Sequence, residues 1–227
     1  MAKQTNLDNA KWFKNNFKSK IENIIQGTPF SVDMLTAMAM QETSYIWGPL
    51  RDKMSVEEIL KVCVGDTLDS PNRGAFPKNK AELLTHPKGA QMFTIAREAL
   101  EAVGKHNETF GKLAKQKPNK FCHGFGILQC DLQHFKKAMP QFFLEKRWHD
   151  FDQCLTIAVD ELKAALIRAY DKNKKTLTDK ERVFVAIAYN KGSVNTNGTF
   201  KQGFQSGDGK FYGENIAEFM EIAKQAP

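Results

Sequence analysis

The stretch Thr178-Asp179-Lys180-Glu181-Arg182-Val183-Phe184-Val185-Ala186-Ile187-Ala188-Tyr189-Asn190-Lys191-Gly192 reads as one helix from its start to its stop. The Thr178 hydroxyl suits the backbone N–H three residues on, and Glu181 can reach back to the N–H of the cap, the reciprocal pattern of a capping box. Val183, Phe184, Ile187 and Ala188 then fall at the three- and four-residue spacing of a helix face. Asn190-Lys191-Gly192 closes the element, because glycine accepts the backbone that ends a helix at no steric cost.

The same pattern recurs on both sides of this stretch. Upstream, a helix from about Asp152 to Tyr170 carries Leu155, Val159, Leu162, Leu166 and Ala169. The first helix spans about Asp8 to Gln26, with Trp12, Phe13, Phe17, Ile21, Ile24 and Ile25 to one side, and Gly27 and Pro29 stop it. A second starts near the N-cap Ser31 and runs through Met34, Leu35 and Met38 to about Ser44. Ser55-Val56-Glu57-Glu58 is another capping box, opening a helix to about Val64. Residues 65–80 are irregular, shorter helices cover 81–85 and 91–104, and 106–119 is basic and polar without a clear period. Residues 121–131 read as a tight glycine turn feeding another helix. After Gly192, residues 193–213 form a Gly- and Asn-rich surface loop or short hairpin, and 214–223 form a last helix. With no internal repeat and no alternation of strand and helix, the expected fold is mainly α, one domain over 1–227.

Composition fits this reading. The 227 residues are 41% hydrophobic and 26% charged, the balance of a globular chain and not of a disordered one. A chain this long buries roughly 70% of its unfolded surface and needs no cross-links to fold. Four cysteines, Cys63, Cys122, Cys130 and Cys154, form no Cys-x-x-Cys pair and no zinc spacing, so buried free thiols are expected, one disulfide being the alternative. No metal site and no cofactor is expected. The net charge of +7 favours anionic partners such as nucleic acid, acidic membrane or cell wall. Lys and Arg are scattered and no nucleic-acid-binding motif occurs, so nucleic acid is not the expected partner. No apolar run approaches the roughly 20 residues of a membrane span, and the first residues lack the apolar core of a secretory signal.

Three short segments carry candidate chemistry. Glu42 follows Met38 by four residues and Leu35 by seven, so it extends the apolar stripe of its helix. A carboxyl there loses solvation, which favours the protonated form and suits a general acid. Gly124-Phe125-Gly126-Ile127-Leu128-Gln129 pairs two glycines, leaving backbone groups open to a ligand, with the Gln129 amide beside them. Tyr189 and Asn190 stand at a helix end, an aromatic ring and an amide suited to carbohydrate. Each segment alone also fits a purely structural role.

Together and in this order, Glu42-Thr43-Ser44, Gly124 to Gln129 and Ala188 to Gly192 resemble the lysozyme-like superfamily of lytic transglycosylases and goose-type lysozymes. The segment His123 to Asp131 looks most like the goose-type version, in which an Asp follows the Gln by two. The resemblance covers about 31–47, 121–136 and 178–193. It implies a lysozyme-like helical domain that cuts the β-1,4 bond between N-acetylmuramic acid and N-acetylglucosamine in peptidoglycan. It implies Glu42 as the catalytic acid, Gly126, Ile127 and Gln129 along the subsites, and Tyr189 and Asn190 holding the sugar near the acid. Asp131 matches the aspartate that helps with the hydrolytic water.

The chain departs from the pattern in three places: Thr43 stands where Ser is usual, with Ser44, the candidate substrate-binding hydroxyl, one further on; Lys120 stands where the goose-type pattern has another Asp; and a long insert occupies about 48–120. That insert supplies Asp66 and Asp69 as alternative second carboxylates, and His123 is a candidate to border the site. An inverting hydrolase needs two carboxyls roughly 6.5–9.5 Å apart, whereas a transglycosylase needs no second one. The expected setting is the cell wall, reached after lysis or by dedicated secretion, with peptidoglycan strands as substrate and an immunity protein or secretion machinery as further partners. A lytic transglycosylase giving 1,6-anhydro ends, a chitinase of the same fold and a non-catalytic wall-binding module are the alternatives.

Overall fold

The computed structural model describes residues 2–65, 73–136 and 139–227. The described residues are mainly helical. In chain order they form α1 (Ala2–Ile24), α2 (Val32–Trp47), α3 (Val56–Val62), β1 (Val64–Gly65), α4 (Lys80–Leu84), α5 (Gly89–Gly104), α6 (Glu108–Gln116), β2 (Gly124–Phe125), β3 (Cys130–Asp131), α7 (Pro140–Leu144), α8 (Phe151–Ala169), α9 (Asp179–Lys191) and α10 (Tyr212–Lys224). Two 3₁₀ turns occupy Leu132–Lys136 and Arg147–His149. The chain divides into two compact units, Met1–Ser44 with Leu155–Pro227, and Tyr45–Cys154, with the boundaries falling inside α2 and α8.

In the first unit α9 is the central helix. Its capping box forms as the sequence predicts: the Thr178 hydroxyl accepts from the Glu181 N–H at 3.3 Å, and Glu181 Oε2 accepts from the Thr178 N–H at 2.7 Å. Lys174 beside the carboxyl and that cap N–H hold Glu181 down at about 2. Gly192 ends the helix at φ +80°, donating to the Ala188 carbonyl at 2.9 Å. All six residues Val183 to Ala188 are buried, so this helix is apolar around its circumference over nearly two turns and not striped. Helix α10 packs on both α9 and α1. Gly213 permits the approach to α9, because a Cβ there would stand 2.5 Å from Ile187 Cδ1 and 2.5 Å from the Phe200 carbonyl oxygen. On α1 the buried apolar residues are Ala10, Phe13, Phe17 and Ile21, with Trp12 and Ile24, and Ile25 just past the helix, only half-buried.

Lys14, on the same face of α1, is buried although charged. Its ammonium donates to the carbonyls of Ala223 and Ala226 at 2.7 and 2.8 Å and pairs with Asp33 Oδ1 at 2.8 Å. One cation thereby ties the C-terminal end of α10 to the first turn of α2, at helix ends whose dipoles favour these signs.

The second unit packs α5 against α6 and gathers aromatic rings under a small sheet. Helices α5 and α6 approach at glycines: a Cβ on Gly111 would stand 2.7 Å from the Gly104 carbonyl oxygen. This contact, the Asn107 cap and the buried Phe110 make a helix of a segment whose local composition is polar. Phe125, Phe135, Phe143 and Trp148 are buried in edge-on pairs, with Phe125 to Trp148 at 4.7 Å and Phe125 to Phe143 at 5.4 Å between ring centres.

The sheet corrects the sequence reading of 121–131. The glycine turn does not feed a helix directly. It closes a hairpin in a three-stranded antiparallel sheet of order β1-β2-β3, with Gly65 opposite Gly124 and Phe125 opposite Cys130, and a 3₁₀ turn follows. Gly126 at φ +81° and Gln129 at φ +53° make the reversal, with the Gln129 N–H donating to the Gly126 carbonyl at 3.0 Å. All four cysteines are free and buried, as free-thiol packing predicts. Burial pushes the Cys154 thiol up to about 12 and the Cys63 thiol well above its ordinary value.

Candidate functional site

In the first unit, α2 carries Glu42 within its last two turns, half-buried. The Tyr212 hydroxyl donates to Glu42 Oε1 at 2.9 Å. Tyr212 is itself buried, and desolvation, the Glu42 charge and Tyr189 all push its hydroxyl well above the usual range. It therefore stays a neutral donor at any pH at which the protein would work.

The chain around Tyr212 is fixed by the preceding loop. The Phe204 carbonyl accepts from the Tyr212 N–H at 2.7 Å, and Asn190 Oδ1 accepts from the Phe204 N–H at 3.0 Å. Gly203, at φ +88°, lets the loop pass so closely that a Cβ there would stand 2.7 Å from Tyr212 Cβ and 3.0 Å from Asn190 Oδ1. Asn190 thus anchors the loop that delivers Tyr212, and its amide oxygen serves the backbone where the sequence reading assigns it to sugar. Tyr189 is half-buried and near enough to Tyr212 to act on it electrostatically. Sequence reasoning missed Tyr212. The one local trace of its placement is Glu214, which accepts from the Phe211 N–H at 3.0 Å and so starts α10 at that tyrosine.

The two hydroxyls after Glu42 point elsewhere. Thr43 Oγ1 donates to the Ala39 carbonyl at 3.3 Å and Ser44 Oγ to the Met40 carbonyl at 2.5 Å. Ser44, expected on the substrate, is turned back onto its own helix, the usual outlet for a hydroxyl within a helix.

In the second unit the backbone at Gly126 and Ile127 faces inward, against the expectation of open groups. The Gly126 carbonyl accepts from the Gln129 N–H at 3.0 Å and from Gln129 Nε2 at 2.8 Å. The Ile127 N–H points at the buried Cys154 thiol, and the Ile127 side chain is buried. A Cβ on Gly126 would stand 2.4 Å from Cys154 Sγ, so the turn is packed down on the core. The Gln129 side chain instead folds over the sheet, its Oε1 lying against Gly124 and Gly65.

Asp131 is engaged as well. Arg73 Nη2 donates to its two oxygens at 2.6 and 2.7 Å, and the Gln133 N–H donates to Oδ1 at 2.7 Å. The carboxylate caps the 3₁₀ turn and holds Arg73. His123 does not border a surface: it is fully buried, 3.9 Å from Asp131 through Nδ1, and neither ring nitrogen finds a hydrogen bond among the described residues. Asp66 and Asp69 lie outside the described residues.

Burial pushes the His123 imidazole down to about 4, with Asp131 opposing the shift and Arg73 adding to it. Between 6.5 and 4 the unfolded chain takes up a proton that the fold refuses. The stability tied to neutral His123 is therefore complete above pH 6.5 and is lost as pH falls toward 4, at up to about 1.4 kcal/mol per pH unit. His149, lowered to about 4 by burial, Lys146 and Lys61, acts in the same direction. Urea midpoints should fall on acidification from pH 7, and His123→Phe should flatten that dependence without abolishing it. An unchanged slope would remove His123 from the account.

Among the described residues no group of three His, Cys, Asp or Glu is placed to hold a metal ion, and no helix is long and apolar enough to cross a membrane. No family model matches the chain, and neither a curated protein nor a solved structure matches it.

Proposed function

We propose that this chain is a peptidoglycan-degrading glycosidase of the lysozyme-like kind, cutting the N-acetylmuramic acid to N-acetylglucosamine β-1,4 bond with Glu42 as general acid. The observation that carries the reading is a half-buried carboxyl near the end of α2 whose one oxygen accepts from a hydroxyl that stays protonated. Its place in the chain, ahead of the glycine turn and the Tyr189-Asn190 pair in that order, supports it further.

The chemistry follows from the hydrogen bond. Tyr212 Oη occupies Glu42 Oε1 as a donor, so in the acid form the proton sits on Oε2. From there it passes to the glycosidic oxygen as the bond to the anomeric carbon breaks, and the departing sugar leaves as an alcohol. The Tyr212 hydrogen bond then stabilises the carboxylate left behind, a charge-assisted bond stronger than the one before transfer. The net charge of +7 draws the enzyme to a wall rich in carboxylates, less so as salt rises.

A lytic transglycosylase is the second reading, and the state of Asp131 favours it over simple hydrolysis. A carboxylate bound on both oxygens by Arg73 and on one by a backbone N–H is poorly placed to take a proton from water. A transglycosylase needs no second carboxylate, because the 6-hydroxyl of the muramic acid attacks the anomeric carbon and its proton passes to the carboxylate that Glu42 has become. Incubation with purified peptidoglycan and, in parallel, with chitin tests the substrate class. Soluble glycan from peptidoglycan is the expected outcome. Release from chitin alone would move the reading to a chitinase, and binding without release to a wall-binding module.

A further inference from the structure

We propose that Tyr45 and Gln129, set over the opposed glycines Gly65 and Gly124, form a subsite for a neutral N-acetylated sugar ring, with Tyr45 as its stacking platform. The inference rests on the glycan-binding part of the reading above and adds Tyr45 and Gly65, which neither the sequence motifs nor the acid at Glu42 invoke, to Gln129 and Gly124 of the glycine-turn motif. All of them belong to the second unit.

Gly65 and Gly124 are directly opposed on β1 and β2. Opposed residues of an antiparallel pair present their side-chain positions to the same face, so two glycines leave that patch of sheet bare. Two polar groups from distant parts of the chain converge on it. A Cβ on Gly65 would stand 2.6 Å from Tyr45 Oη and 2.8 Å from Gln129 Oε1, and one on Gly124 would stand 2.1 Å from the same Oε1. Neither glycine has a positive φ, so a turn does not require them. What requires them is the space that these two oxygens occupy.

The amide is oriented, not merely nearby. Gln129 Nε2 donates to the Gly126 carbonyl at 2.8 Å, which turns Oε1 toward the glycines as an acceptor. The residue holds this pose at φ +53°, a left-handed conformation that a side chain makes costly. Tyr45 is 48% exposed, and its ring lies at 31° to the buried Phe110 ring with 6.3 Å between centres. An exposed but braced aromatic face next to a fixed amide acceptor matches a sugar, whose C–H face packs on the ring while a hydroxyl or acetamido N–H donates to the amide. None of the four residues is charged, which selects a neutral ligand over an anion.

Calorimetric titration of the full chain with N-acetylchitotetraose, in the Glu42→Gln background so that the probe stays intact, tests this. Gly65→Ala is the informative variant, because its new methyl meets only the ends of two flexible side chains and so displaces Oη and Oε1 without breaking the fold. About tenfold weaker binding is expected for it and for Tyr45→Ala, with Tyr45→Phe losing less. Binding within twofold of the parent in both variants would overturn the subsite, as would a parent that does not bind the probe. Peptidoglycan cleavage by the wild type reads the glycosidase proposal separately. A chain that cleaves without this binding loses only the subsite, and one that binds at this patch without cleaving loses only the glycosidase reading.

Discussion

Glutamine in place of Glu42 is expected to lower the release of soluble glycan from peptidoglycan by about a thousandfold, within the range that a general acid contributes. The substitution keeps the size of the side chain and keeps an oxygen for the Tyr212 hydroxyl, which now sits 2.9 Å from Oε1. The helix and the loop strapped by Asn190 should therefore persist, and thermal stability should change little. What is lost is the proton on Oε2, without which the leaving sugar must depart as an alkoxide. Release of soluble glycan from radiolabelled peptidoglycan, which counts anhydro and reducing ends alike, checks the effect. Activity within tenfold of wild type would exclude Glu42 as the acid.

Replacing Lys14 by Met should cost about 3 kcal/mol of stability, seen as a lower urea midpoint with little change in slope. The ammonium uses three donors on three acceptors at 2.7 to 2.8 Å, and methionine fills a similar volume with none. The Ala226 carbonyl would be left without this donor in a buried place, a desolvation penalty, while the Ala223 carbonyl keeps the Ala226 N–H at 3.1 Å. Asp33 retains partial access to water, with 28% of its side chain exposed, so the lost ion pair contributes less than a wholly buried one. Adding Asp33→Asn to Lys14→Met should recover only the smaller part of the loss, because the ammonium's bonds to the two carbonyls stay lost. A Lys14→Met midpoint equal to wild type would show that the α1 to α10 contact does not depend on this cation.

The helices were legible because their start and stop signals are local. Thr178 and Gly192 bracket α9 where the sequence places them, and the Ser55 box opens α3. The strands were not legible, since two-residue strands are too short to show a period of two. Helix α6 escaped because its support is a glycine contact with α5, a property of another segment. The same divide runs through the site. Glu42 could be picked from its helix position and motif, but the hydroxyl on it comes from Tyr212, 170 residues away. Ser44, Asn190 and Asp131 carry the residue types of sugar or water ligands; Ser44 instead bonds back to its own helix, and the partners of Asn190 and Asp131, a loop N–H and Arg73, are set by tertiary neighbours. Gly65 and Tyr45 drew no notice in sequence because a lone glycine and a lone tyrosine acquire meaning only when the chain brings them to one patch.

Mass spectrometry of the fragments released from purified peptidoglycan, wild type beside Glu42→Gln, tests the central claim most directly. Wild type should yield glycan pieces cut after N-acetylmuramic acid, and Glu42→Gln should yield none. The engagement of Asp131 by Arg73 points to 1,6-anhydro ends, and reducing ends would instead call for a working second carboxylate. Fragments cut only within the peptides, or the same glycan fragments from both proteins, would contradict the account.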